Sequence, residues 1–302
     1  MTLRTLSPKQ WHSWITQAVS VGKSGKLPQY IPRLAEANPE IFNLRVEDNK
    51  GLVFEWGDQA GTVTMMSVMK PFLWLYILHH HGYKQASQWV GDRPSNRAYN
   101  SLSQLQEDQC YPCNAMVNSG AISLAEWLPG GTALEKCDAF AQWLNGLSGA
   151  RLFLDQNMLD SVRSLPNPRN QAIIAILNQA GYSEKPALAL DTYNHLCCLA
   201  GTLKDYLRLG RLLPAPSLPI TSETCSIVWQ TLIIAGLYQY SEAFFKQTGF
   251  ACKSAVSGLV MAWIPATPWG LVVAYSPSLD AQGNPAVPLF LLQQLATTLR
   301  QD

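Results

Sequence analysis

The sequence predicts a mixed α/β fold: an antiparallel sheet, flanked by N- and C-terminal helices and built from both ends of the chain, with an inserted helical lobe. Three observations carry that expectation. Apolar and polar residues alternate through 42–47 and again through 52–56, on either side of Asp48-Asn49-Lys50-Gly51. That is the pattern of a β-hairpin with one buried face. The other strand-like runs, 259–264 and 270–275, come only near the end. Between them, residues 67–245 are mostly helical by apolar periodicity. One domain is expected over 1–302, with 1–63 and 250–302 forming the sheet lobe and 64–249 the helical lobe. A crevice between two lobes is a usual place for a substrate.

Each element has a local reason. Residues 8–25 read as an amphipathic helix with Trp11, Trp14, Ile15 and Val19 on one stripe. A proline-punctuated loop over 25–32 leads into a short helix, 33–37. Residues 114–122 lead a helix that runs to Trp127, and Pro168-Arg169-Asn170-Gln171 starts another over 172–177. Residues 191–195 precede an apolar segment, residues 235–238 close a helix, and residues 251–258 open a strand. An amphipathic helix over 287–300 ends the chain. The run His79-His80-His81 invites a metal, but adjacent helix positions point in different directions. It reads instead as a helix C-terminus closed by Gly82, where the dipole favours histidine.

Composition narrows the function. The 302 residues are 47% hydrophobic and 14% charged, enough for a large core, and the net charge of +1 leaves no basic stripe for nucleic acid. The longest apolar run, 72–78, is too short to span a bilayer, and residues 1–8 lack the apolar centre of a signal peptide. A cytoplasmic protein that engages neither nucleic acid nor membrane is expected. Seven scattered cysteines imply free thiols. Cys110-Tyr111-Pro112-Cys113 has redox spacing, but it lies mid-chain in a polar stretch, and no second pair completes a zinc site.

Chemistry centres on Ser67-Val68-Met69-Lys70, followed by an unbroken apolar helix candidate. Positions three apart share a helix face, so the Lys70 amine can reach the Ser67 hydroxyl. A buried lysine that disfavours its ammonium form can take the serine proton. The first helical turn also offers unpaired N–H groups to developing negative charge. The same spacing at Ser20 and Lys23 reads as a solvated helix end.

Taken together, these pieces resemble the serine-dependent glutaminases of the β-lactamase and penicillin-binding-protein superfamily, in order and over almost the whole chain. Residues 26–32 resemble the family's tyrosine-isoleucine-proline segment, and residues 67–71 its nucleophile helix. Val90-Gly91-Asp92-Arg93-Pro94-Ser95 resembles its valine-glycine-x-x-proline-serine stretch, and residues 114–122 its asparagine-rich run. Gly236-Leu237-Tyr238 and Lys253-Ser254-Ala255-Val256 stand where the later tyrosine and the lysine-serine-glycine-valine strand belong. Residues 275–284 resemble the closing serine-proline-x-leucine-aspartate turn. The resemblance implies a β-lactamase-like fold and a Ser67 nucleophile with Lys70 as base, Tyr238 and Tyr193 assisting proton transfer. It implies an oxyanion hole from the backbone N–H groups of Ser67 and Val256. Tyr30, Asn118, Asn170, Tyr193, Tyr238 and Val256 would hold a small amide substrate, with Lys253, Ser254 and Arg163 as further pocket candidates. No metal or cofactor is implied, and assembly as a homodimer or homotetramer is.

The sequence also departs from the family. A glutamate that meets the substrate's α-ammonium is replaced by Val162, or by Arg163 if the match shifts by one. Met66 replaces a glutamine, and Ala255 replaces a glycine whose freedom shapes the oxyanion hole. Three readings follow. One is a glutaminase in which Asp160 or Glu184 supplies the missing clamp. Another is a serine amidase or acyltransferase whose substrate lacks a free α-amine or offers a carboxylate to Arg163. The last is a non-catalytic binding homologue.

Overall fold

The computed structural model describes residues 2–22, 24–95, 97–216, 219–265 and 269–300. Among them the strands are β1 (Asn43–Asp48), β2 (Gly51–Trp56), β3 (Val63–Thr64), β4 (Phe153–Leu154), β5 (Leu199–Gly201), β6 (Ala251–Ser254), β7 (Leu259–Ile264) and β8 (Gly270–Tyr275). The hairpin β1–β2 forms where the alternation places it, with Asp48 opposite Gly51 across the turn. Gly51 takes φ +106°, a conformation open to glycine at little cost. The Asp48 carboxylate accepts the Lys50 N–H and a two-pronged bond from Arg4 at 2.6 and 2.7 Å, which fastens the chain's start to the turn.

The main sheet runs β2-β1-β8-β7-β6, with every pairing antiparallel. Its two-residue period sorts side chains between two cores. Val260, Ala262, Val272 and Ala274 join Trp11, Trp14, Ile15, Leu291, Leu292 and Leu295 under the helices Pro8–Gly22 and Ala286–Leu299. Leu259, Met261, Trp263, Leu271 and Val273 face the other way, into the core of the helical segment. The Trp263 indole donates to the Gly210 carbonyl at the end of helix Leu203–Gly210, tying that helix to the sheet.

Several details differ from the sequence expectation. A second sheet, in the order β3-β5-β4, pairs strands of two or three residues, too short to carry a period. Residues 191–195 lie inside the helix Pro186–Cys197 rather than ahead of an apolar segment. The helix Lys70–Ala86 resumes after a break at Gly82, φ +73°, so the histidine run ends its first part only. His81 packs edge-on against Trp89. Ser20 is exposed near the end of the first helix, and Lys23 lies outside the described residues. Cys110 and Cys113 are free thiols. Among the described residues, no helix is long and apolar enough to cross a membrane.

Candidate active site

Strand β3 delivers the chain to Met65, whose N–H bonds the Leu199 carbonyl of β5 at 2.7 Å. The next residue, Met66, takes φ +43°, a left-handed conformation that is strained for a side chain of this size. It turns the backbone into a short 3₁₀ segment, Met66–Met69, that runs directly into the helix Lys70–Ala86. Ser67 therefore lies at the junction, buried, with its Oγ bonded to no described residue and its surface on a cavity of about 310 Å³.

Lys70 is fully buried and does not hydrogen-bond Ser67. Its Nζ donates to the Met116 carbonyl at 2.9 Å and to Asn118 Oδ1 at 2.7 Å. Burial strips the ammonium of water and brings its pKa down to about 7. The loop that offers these acceptors is shaped by Asn114, whose Oδ1 takes the N–H groups of Met116 and Val117. Gly120 lets the helix Asn118–Ala125 pass that loop, because a Cβ there would lie 2.0 Å from the Asn114 carbonyl oxygen. Asn118 Oδ1 also accepts from the Tyr193 hydroxyl at 3.1 Å, while its Nδ2 donates to Asn170 Oδ1 at 2.9 Å. Asn170 is held in turn by the cap of its own helix, Asn167 Oδ1 accepting its N–H. Burial pushes the Tyr193 phenol well above its ordinary pKa.

The sheet contributes the opposite wall. The turn after β6 is closed by Ala255 N–H on the Leu259 carbonyl and Gly258 N–H on the Ala255 carbonyl. Ser257 Oγ donates to the Thr64 carbonyl at 2.8 Å, which clamps this turn to the segment before Ser67. Val256 then lines the same cavity as Ser67, and the backbone N–H of neither residue has an acceptor among the described residues. Two donors without acceptors, in residues that line one cavity, suit an oxyanion. Ala255 keeps a negative φ, so its side chain imposes no left-handed strain on the turn.

Tyr238 follows Gly236, where a Cβ would come within 1.8 Å of the Cys252 carbonyl oxygen. It also takes a left-handed conformation, φ +58°. Its buried hydroxyl has no hydrogen-bond partner among the described residues. The hydroxyls of Ser67 and Ser254 stand beside it without meeting hydrogen-bond geometry. Burial raises its pKa, and those two neighbours oppose the rise. Lys253 lies 4.6 Å from the centre of the Tyr238 ring, donates to the Gly236 and Ser254 carbonyls, and is held well below its ordinary pKa by burial. Ser254 Oγ donates to Asn284 Oδ1.

Of the residues expected from the sequence, Ser67, Asn118, Asn170, Tyr193, Val256 and Tyr30 line the cavity, and Lys70 and Tyr238 pack behind it. Tyr30 stands half exposed, its hydroxyl 3.4 Å from that of Tyr99. Arg163 is turned away and pairs with Asp191 at 2.5 Å, so it is not a pocket residue. Lys253 and Ser254 are also off the cavity wall, because both are turned into the core behind Tyr238. Asp160 accepts the Gln156 amide, Glu184 is exposed, and neither reaches the cavity. Val162 does line it. Sequence reasoning missed Tyr99, Asn100, Arg169 and Cys197, all on the wall. Tyr99 lies in an irregular stretch with no period, and its ring packs on Tyr238 at 4.5 Å.

Comparison with known proteins bears on the family and the fold. The family model described as Glutaminase matches residues 25–302. A protein of Synechocystis named Glutaminase is 51% identical over 97% of this chain and 90% of its own length. A Glutaminase of Oceanobacillus iheyensis is 29% identical over 98% of this chain and 96% of its own. The crystal structure of a probable glutaminase of Bacillus subtilis superposes with a TM-score of 0.88 at 23% identity, covering 96% of this chain and 95% of that one.

Proposed function

This chain belongs to the glutaminase family, and we propose that it hydrolyses L-glutamine to L-glutamate and ammonia through an acyl-enzyme on Ser67. The observation that carries the reading is a single cavity lined by both Ser67 and Val256, whose backbone N–H groups have no acceptor among the described residues, with Lys70 buried behind.

The state of Lys70 decides the first step. A neutral amine has two N–H donors and one lone pair, and the Met116 carbonyl and Asn118 Oδ1 supply two acceptors. With a pKa near 7, about half of the amine is neutral at neutral pH. Its lone pair then remains for the Ser67 proton. As Ser67 Oγ bonds the side-chain carbonyl carbon of glutamine, the carbonyl oxygen gains negative charge between the N–H groups of Ser67 and Val256. Removing one such donor typically costs about two to three orders of magnitude in rate. Tyr238, beside the Ser67 hydroxyl, passes a proton to the leaving nitrogen and is reprotonated from Lys70. Ammonia departs, leaving an ester. Water adds to that ester and gives its proton to Lys70, which returns it to the departing Ser67 oxygen, so Ser67 leaves as the alcohol and glutamate is released.

Tyr193 and Asn170 hold the Asn118 amide in the orientation that faces Lys70 with oxygen. Asn170 Nδ2 has no acceptor among the described residues and suits the substrate carboxylate, with Tyr30 at the mouth. Family membership also supports a homodimer or homotetramer, which the mass from light scattering decides.

The test is ammonia release from L-glutamine together with labelling by a diazoketone glutamine analogue. Wild type should release ammonia and gain the label on Ser67, and Ser67→Ala should do neither. Hydrolysis that survives Ser67→Ala removes the reading.

A further inference from the structure

The same cavity carries a second message, in its charges. Among the described residues that line it there is no carboxylate, and Arg169 is the one charged side chain. The stretch from Val162 to Pro168 forms one wall, contributing the apolar Val162, Leu165, Pro166 and Pro168 and one polar residue, Asn167, whose Oδ1 is taken by the Asn170 N–H. The acids nearest in sequence are engaged elsewhere: Asp160 with the Gln156 amide, Asp191 with Arg163. A free amino acid brings an ammonium group as well as a carboxylate. An ammonium taken from water into a site without an opposite charge loses hydration that neutral oxygens restore only in part. The carboxylate meets the opposite circumstance: Arg169, which also donates to Asn100 Oδ1 at 3.2 Å, carries the opposite charge, and the Asn170 amide has no acceptor among the described residues.

We infer that this enzyme accepts glutamine derivatives whose α-nitrogen is acylated and uncharged, the acyl group lying against Val162, Leu165 and Pro166. The inference rests on the amide hydrolysis proposed above and names its substrate class. Acylation removes the charge that the wall does not match and adds apolar surface that it does. Val162 is then the residue that sets the preference. A glutamate there would supply the missing counter-charge, and a charge-assisted bond should shift relative affinity by about ten- to a hundredfold towards the free amine.

The experiment compares N-acetyl-L-glutamine with L-glutamine in two readouts: kcat/KM for ammonia release by wild type, and Kd by calorimetry on Ser67→Ala, which holds substrate without turning it over. N-acetylglutamine within tenfold of glutamine, or better, is the expected result in both. The Val162→Glu variant should move the ratio towards glutamine by about tenfold or more. A wild-type preference for glutamine greater than tenfold in Kd overturns the inference, and so does a ratio unchanged in Val162→Glu that still binds glutamine. The calorimetric arm keeps the two proposals apart. No ammonia from either substrate, with both still bound as expected, refutes the hydrolysis and leaves the recognition standing.

Discussion

Replacing Asn118 by aspartate should move the pH at which the enzyme switches on. Asn118 Oδ1 lies 2.7 Å from Lys70 Nζ. A carboxylate at that distance interacts with an ammonium by about 6 kcal/mol at an effective dielectric constant of about 20. At about 1.4 kcal/mol per pH unit that is a ceiling of roughly four units. Part of it is lost to the desolvation of the new carboxylate itself, so a rise of about two units or more is expected. The base works in its neutral form, so activity rises with pH through the lysine's pKa. In wild type the limb should centre near pH 7, the value burial gives Lys70. In Asn118→Asp it should centre near 9 or above, with kcat at pH 7 down by about fiftyfold and recovered at high pH. Asn118→Leu should shift the limb the other way, because it removes an acceptor and leaves the ammonium still less favoured. The assay is ammonia release at saturating glutamine from pH 5.5 to 10. A wild-type profile flat between pH 6 and 8, or an Asn118→Asp limb that coincides with wild type, refutes Lys70 as the base.

Tyr238→Phe removes a buried hydroxyl with no hydrogen-bond partner among the described residues; urea denaturation should show stability unchanged within about 1 kcal/mol, while kcat falls by about 10²-fold or more. Ala255→Gly should leave kcat within about twofold and cost about 0.5–1 kcal/mol, because the turn at Ala255 already has a negative φ. A large gain in rate there would mean that the alanine does restrict the oxyanion donors. Gly236→Ala should cost about 3 kcal/mol or more, since its Cβ would lie 1.8 Å from the Cys252 carbonyl oxygen. A loss below 1 kcal/mol in chemical denaturation would show that β6 can move aside.

Much of the fold was legible because its strands obey a period of two and its turns use residues with known backbone preferences. The β1–β2 hairpin appears where alternation put it, and strands β7 and β8 where the strand-like runs 259–264 and 270–275 were read. Strands β3, β4 and β5 were not legible, since two or three residues show no period and are fixed only by pairing across 45 or more positions of chain. At the site, the serine-lysine spacing was readable from helix geometry, but the partners of Lys70 were not. That Asn118 turns oxygen towards the lysine follows from Tyr193 and Asn170 acting on it at once. Tyr99 and Arg169 reach the cavity from stretches whose local sequence says only loop or helix start. Arg163 illustrates the reverse error: it has the right charge and the right neighbourhood in sequence, yet one position along a helix turns it from Val162's cavity to Asp191.

Strand β7 has a consequence for how the molecule comes apart. Alternate residues of one six-residue strand serve as floor to the helices from the termini and as ceiling to the interior of the inserted segment. Neither half can melt and leave the other a dry surface, so loss of one exposes the other. Heating should therefore yield one sharp transition, with catalysis and far-ultraviolet circular dichroism vanishing over the same few degrees, rather than a surviving fragment that still folds.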